Sequence, residues 1–164
     1  MTEFLLRDFR NDDFAAFHAL VCEYDVVKMT SGWPWPADPA YTRRRMNTPE
    51  ARAGLVQVVD LNGEYIGQVA VVNGVLGYMI AKPHWGKGAA SWAVAQQLHR
   101  AFTTQDVSKI SACVWAGNPA SEAILAKNGF VKTGEAMDFC KPRGEICQSY
   151  SFELNRADWL EARG

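Results

Sequence analysis

"PHWGKGAASW", residues 83–92, joins an apolar run to a segment of helical periodicity, with two glycines and a lysine at the join and no acidic residue in it. The first turn of a helix leaves four backbone N–H groups without intrahelical partners, and most helices cover some of them with a capping Ser, Thr, Asp or Asn. The approach Trp85-Gly86-Lys87-Gly88-Ala89-Ala90 contains no side chain able to cap. Lys87 is also disfavoured beside the positive end of an empty helix dipole. An anion accounts for all of these features: glycines let its oxygens near the backbone, and N–H groups, dipole and lysine attract it. The plainer alternative is a solvated helix start with a glycine turn.

The segments on either side set the fold. Upstream, Val75 to Ala81 reads as a strand; downstream, Gly88 to Thr103 reads as a helix with Val94, Leu98, Ala101 and Phe102 on one face, followed by a strand from Ser108 to Trp115. A strand–helix–strand unit requires a crossover, so strands 75–81 and 108–115 are parallel if they are neighbours. Before them, Leu55 to Leu61, Tyr65 to Val72 and Val75 to Ala81 are joined by Asn62-Gly63 and Asn73-Gly74, which predict tight hairpin turns and an antiparallel meander. After them come a helix over Pro119 to Asn128 and strands over Phe130 to Cys140 and Ile146 to Leu154, joined by "KPRGE". At the N-terminal end, Phe4 to Phe9 reads as a strand. Asn11 can cap a helix running to about Tyr24, "SGWPWPADP" (31–39) cannot be regular, and a second helix lies near Tyr41 to Asn47. The expected fold is α/β (α+β): a mixed, mostly antiparallel central sheet with one central parallel pair and helices on both faces, in a single domain over residues 1–164.

Composition restricts function. The 164 residues are 48% hydrophobic, enough for one substantial core, and 17 Lys plus Arg against 18 acids give a net charge of −1. That balance offers no electrostatic case for nucleic acid or an anionic membrane. Arg43, Arg44 and Arg45 read as a solvated helix face. No apolar stretch approaches the ~20 residues of a membrane span, and the first residues lack signal-peptide character, so a cytoplasmic location is expected. The four cysteines, Cys22, Cys113, Cys140 and Cys147, form no CxxC pair; free thiols and no metal are expected, although Cys140 and Cys147 flank a hairpin and could face each other.

Spacing selects among anions. "HWGKGAAS" lacks the GxxxxGK[ST] of a Walker loop, and the third glycine of a dinucleotide fingerprint is replaced by Ser91. Gly77, Tyr78, Ile80, Trp85, Gly86, Lys87, Gly88 and Ala90 instead resemble the pyrophosphate loop of the GNAT superfamily of acetyl-CoA-dependent N-acetyltransferases, and within it the RimJ/RimL-like branch of ribosomal-protein N-terminal acetyltransferases. The family's usual Gln or Arg at the start of the loop is Trp85 here. "NPASEAILAKNGF" (118–130) resembles a second family segment through Asn118, Ala120, Ser121, Lys127, Gly129 and Phe130. It also reads locally as a cap, an N1 proline and a C-terminal glycine. The resemblance runs from about Phe4 to Trp159.

The resemblance implies a role for each matched position. Main-chain groups of Tyr78, Met79 and Ile80 would meet the pantetheine and acetyl carbonyl, and Trp85, Gly86, Lys87, Gly88, Ala89, Ala90 and Ser91 would hold the pyrophosphate, with Asn118 near the cofactor. The amine would attack directly, without an acyl-enzyme. Leu125 occupies the place of the tyrosine that usually protonates the leaving thiolate, which leaves Ser121 as the candidate acid, assisted by Asn118; both residues are equally accounted for by helix capping. No carboxylate stands on strand 75–81, and His84, Glu23, Asp25 and Asp38 are undistinguished as bases. A base-poor site suits an α-amine of pKa ~7.7–8.0 better than a lysine amine at ~10.4. Trp33 and Trp35 either wall the acceptor cleft or cover the core edge. The expected partners are acetyl-CoA and an amine acceptor, with the protein a monomer or homodimer. The alternative is a non-catalytic acyl-CoA-binding sensor or partner module.

Overall fold

The computed structural model describes residues 3–164. In chain order the elements are β1 (Phe4–Arg7), α1 (Phe14–Val21), α2 (Tyr24–Val27), α3 (Pro39–Arg45), α4 (Pro49–Arg52), β2 (Val56–Leu61), β3 (Glu64–Val72), β4 (Val75–Ile80), α5 (Ala89–Thr104), β5 (Lys109–Trp115), α6 (Pro119–Lys127), β6 (Val131–Cys140), β7 (Glu145–Asn155) and α7 (Arg156–Ala162). Among the described residues the strands form one seven-stranded sheet in the order β1-β2-β3-β4-β5-β7-β6. The sheet is antiparallel except at its centre, where β4 and β5 are parallel.

The meander follows from its turns. Asn62 (φ 54°) with Gly63 (φ 94°), and Asn73 (φ 52°) with Gly74 (φ 75°), hold two consecutive positive φ values, the conformation that matches strand twist across a two-residue hairpin. With both turns fixed, β3 and β4 pair in one uninterrupted register, and β2 pairs with β3 through a register shift between Val59 and Asp60.

Two apolar clusters cover opposite faces of the sheet. On one, Leu76 and Ile80 of β4, Ile110, Ala112 and Val114 of β5, and Phe152 and Leu154 of β7 pack under Val94, Leu98 and Phe102 of α5, Leu125 of α6 and Trp159 of α7. On the other, Val58, Tyr65 and Met79 pack under Phe17, Leu20 and Val21 of α1, with Val26, Val27 and Met46. The second cluster covers the β2–β4 half only. Beyond it, Gly77, Cys113 and Ser151 remain exposed.

The structure differs from the sequence-based expectation near the N-terminus. β1 ends at Arg7, not Phe9, because the Arg7 guanidinium turns in to bridge Asp13 (2.8 Å) and Asp60 (2.6 Å). Asn11 is not a cap: it opens a 3-10 turn, Asn11–Asp13, closed by the Arg10 N–H donating to Asp13 Oδ2 at 2.7 Å. The expected helix to Tyr24 breaks at Glu23, whose extended backbone (φ −90°, ψ 111°) separates α1 from α2. The helix expected near Tyr41 to Asn47 starts earlier, because Asp38 Oδ1 caps the Ala40 N–H at 2.9 Å with Pro39 in the first position. α4 and α7 were not expected. Each is too short to display a period; α7 is anchored by the single side chain of Trp159, buried against Phe102 with ring centroids 5.1 Å apart.

Candidate functional site

β4 and β5 share a single register pair, Val75 with Ser111, at the start of both strands. The Ser111 N–H reaches back to the Gly74 carbonyl at 2.8 Å. Beyond that point the strands have no further pairing, so the centre of the sheet opens toward the C-terminal ends of β4 and β5. α5 and α6 begin beside this opening, because each follows one of the two strands. An opening between parallel strands leaves backbone N–H and C=O groups with no ladder partner, which an extended ligand can satisfy.

The 83–92 junction lies at the end of β4. Ala81, Lys82 and His84 form a one-turn connection, with His84 N–H donating to Ala81 O and Trp85 N–H to Lys82 O. The Trp85 indole then folds back, its Nε1–H donating to the Ile80 carbonyl at 2.7 Å. Trp85 therefore ties the loop to the strand, and the Ile80 carbonyl is already engaged. Gly88 is the residue before the helix, with φ 83°, a left-handed conformation that costs other L-residues roughly 1–2 kcal/mol. Nothing lies within 4 Å of where its Cβ would be. Among the described residues no protein acceptor meets the N–H groups of Gly86, Lys87, Gly88, Ala89, Ala90 or Ser91; the first α5 ladder bond runs from Trp92 N–H to Gly88 O at 3.0 Å. Gly86, Lys87 and Gly88 are exposed. The result is a row of free donors at the positive end of a 16-residue helix, open to an anion.

On the other side of the opening, Asn118 caps α6, its Oδ1 accepting the Ser121 N–H at 3.2 Å. The Ser121 hydroxyl is left free of that cap and lies 2.5 Å from the Tyr78 hydroxyl. Tyr78 belongs to β4, so this bond connects one strand bordering the opening to α6, the helix that follows the other strand. Burial pushes the Tyr78 phenol above its ordinary pKa, the Ser121 bond acting in the opposite direction. The sequence treated Tyr78 as a main-chain contributor only. The signal available was parity: Leu76, Tyr78 and Ile80 share one face, and a tyrosine turned into a helix layer needs a partner for its hydroxyl. Leu125 is fully buried in the core and contributes nothing polar.

Trp33 packs against the other cluster and Trp35 does not. Trp33 is half-buried against Phe17 (centroids 5.5 Å) and Tyr41 (5.1 Å), covering the core edge, while Trp35 is exposed and stands edge-on to Tyr24 at 5.0 Å. Arg43 lies over the Phe14 ring at 3.8 Å and Arg45 over Trp33 at 5.9 Å. Of the candidate bases, Asp25 is held below the usual carboxylate range by Lys82 (2.5 Å) and then Lys28 (3.1 Å). Glu23 lies 3.9 Å from Lys82 and Asp38 serves as a cap. His84 turns Nδ1 inward, where no described protein group meets it. Asp138, on the same face of β6 as Cys140, accepts the hydroxyl of buried Ser149 at 2.9 Å.

Cys140 and Cys147 do not oppose each other directly: Cys140 pairs with Glu145 and Cys147 with Asp138, a diagonal relation. All four cysteines are free thiols. Among the described residues, no cluster of three His, Cys, Asp or Glu side chains is placed to hold a metal, and no helix is long and apolar enough to cross a membrane.

Comparison with known proteins shows the family and the fold. The sequence pattern of the Acetyltransferase (GNAT) domain matches residues 3–131. The uncharacterized N-acetyltransferase p20 of Bacillus licheniformis is 33% identical over 84 residues, 51% of this chain and 47% of p20, so the chain spans about half the length of that relative. Mycobacterium smegmatis RimJ, solved in complex with CoA-disulfide, superposes with a TM-score of 0.76 at 25% identity, covering 98% of this chain and 89% of RimJ. The spermidine/spermine N-acetyltransferase SpeG of Vibrio cholerae gives a TM-score of 0.77 at 20% identity over 98% of both chains, a likeness of fold.

Proposed function

Because the chain belongs to the GNAT acetyltransferase family, we propose that it moves an acetyl group from acetyl-CoA to a primary amine by direct attack. The observation that carries this reading is the row of unpartnered N–H groups from Gly86 to Ser91 at the start of α5, adjoining the β4–β5 opening. Those donors and Lys87 suit the diphosphate of coenzyme A. The edge of β4 around Tyr78, Met79 and Ile80 suits the pantetheine arm, through the groups that the Trp85 indole leaves free. The CoA-disulfide bound by RimJ supports coenzyme A as the ligand class.

The amine nitrogen adds to the thioester carbonyl, and a strand N–H directed at the oxygen stabilises the charge that develops there. When the C–S bond breaks, the electron pair leaves on sulfur and Ser121 supplies a proton. Asn118 sets the Ser121 backbone through its cap. The acceptor approaches from the face where Gly77 and Cys113 are exposed. The carboxylates nearest α2 are committed to lysines, which favours an amine already partly neutral at pH 7. A protein or peptide N-terminal α-amine, or a small-molecule amine of similar pKa, fits this better than a lysine side chain. The test is calorimetric binding of acetyl-CoA followed by thiol release against peptides, polyamines, amino acids and aminoglycosides. Binding without release on any amine favours a non-catalytic acyl-CoA sensor; no binding removes both readings.

A further inference from the structure

We propose that Tyr78 is the positioning residue for proton delivery to the leaving thiolate, providing from β4 the phenol that α6 lacks at Leu125. This rests on the acetyl-transfer reading above. Ser121 alone is a poor proton donor: its hydroxyl rotates freely on the first turn of α6, and an alkoxide left behind would be highly unstable. The bond to Tyr78 changes both conditions. At 2.5 Å it restrains the Ser121 rotamer, and in the arrangement where the phenol is the donor the serine hydrogen is free to point away from it. Because Tyr78 sits on the strand that borders one side of the opening and Ser121 on the helix that follows the other, their bond spans the entrance that the thioester must pass.

The step balances. The C–N bond forms as the amine adds, and the C–S bond breaks as the tetrahedral oxyanion collapses, placing the electron pair on sulfur. Sulfur takes the Ser121 proton, and Ser121 Oγ takes the Tyr78 proton. Water returns a proton to the phenolate, and the proton lost by the amine leaves to solvent, so nothing is oxidised or reduced. The raised pKa of the buried phenol keeps Tyr78 protonated over the range in which an α-amine becomes nucleophilic, so the relay is loaded whenever the acceptor is. The Asn118 cap holds the serine backbone in place independently of its hydroxyl, which separates rotamer control from helix formation.

The decisive measurement is a double-mutant cycle on turnover. Tyr78→Phe and Ser121→Ala should each lower kcat about 10- to 100-fold, within what a positioned acid contributes, with KM for acetyl-CoA within about threefold of the wild type. The double variant should be no slower than the slower single one, because Tyr78 acts only through Ser121. Ser121→Thr, which keeps the hydroxyl, should restore kcat to within a few-fold and keeps the question answerable if Tyr78→Phe folds poorly. Multiplying losses, an unchanged kcat in Tyr78→Phe, or a loss confined to KM for acetyl-CoA would overturn the relay. Failure of the wild type to bind acetyl-CoA would instead overturn the transfer reading, so the two outcomes are distinct.

Discussion

Arg143, in the β6–β7 turn, donates its Nε–H to the carbonyl of Lys28 at 2.8 Å, joining positions 115 residues apart. Three more bonds hold the same segment: Lys141 N–H to Ser31 O at 3.2 Å, the Cys140 thiol to Thr30 O at 3.4 Å and the Trp115 indole to Thr30 O at 3.0 Å. Residues 28–31 lead into Trp33 and Trp35, so the far hairpin helps to position the loop proposed to meet the acceptor. Arg143→Ala should raise KM for the amine about fivefold, equivalent to one hydrogen bond of ~1 kcal/mol, and leave KM for acetyl-CoA unchanged. Steady-state kinetics with each substrate varied checks both.

Gly88→Asp should weaken coenzyme A binding at least about 100-fold while the protein stays folded. The new carboxylate would occupy the anion's place and be drawn to the same N–H groups, and no atom within 4 Å would clash with its Cβ. Gly88→Ala, which adds the strain of φ 83° without charge, should lose much less affinity. Calorimetry with CoA, paired with thermal melts, separates charge from backbone strain.

Gly67→Ala should destabilise the protein by about 1–3 kcal/mol, the usual cost of overpacking, and reduce turnover with it. A Cβ at Gly67 would lie 2.2 Å from the Met79 carbonyl and 3.0 Å from Ile80 Cα, both backbone atoms of β4. The strand would have to move at the positions proposed to meet the thioester. Denaturant unfolding and kcat measured on the same variant test whether stability and activity fall together.

Acid should weaken the N-terminal region through Asp13. Burial alone would push its carboxyl up, but the Arg7 guanidinium and the Arg10 N–H outweigh this and hold it below the usual range. A folded pKa below the unfolded one contributes stability that is complete above the unfolded value, about 3.9, and is lost as pH falls through the folded value. Asp13→Asn should cost roughly 3 kcal/mol at pH 7, since it leaves Arg7 with Asp60 as its one carboxylate partner among the described residues. Its disadvantage should shrink below about pH 4; melting temperatures from pH 3 to 7 check the sign.

The local rules of the chain were legible from its order of residues. Asn-Gly pairs at 62–63 and 73–74 fix the meander, because few other pairs accept two positive φ values in succession. A glycine-rich helix start at 86–90 was legible as capless, because local chemistry alone decides whether those N–H groups can be covered by a side chain. The crossover from 75 to 115 determines the parallel pair by connectivity. Distance in space is what the sequence withheld. Tyr78 and Ser121 are 43 residues apart, and Arg143 and Lys28 are 115 apart. Asp138 and Ser149 meet only once β6 and β7 are in register. These contacts arise from the packing of whole elements, and no neighbour in the chain records it. For the same reason α1 ends where Glu23 is drawn into an extended conformation, and α7 exists because Trp159 finds Phe102.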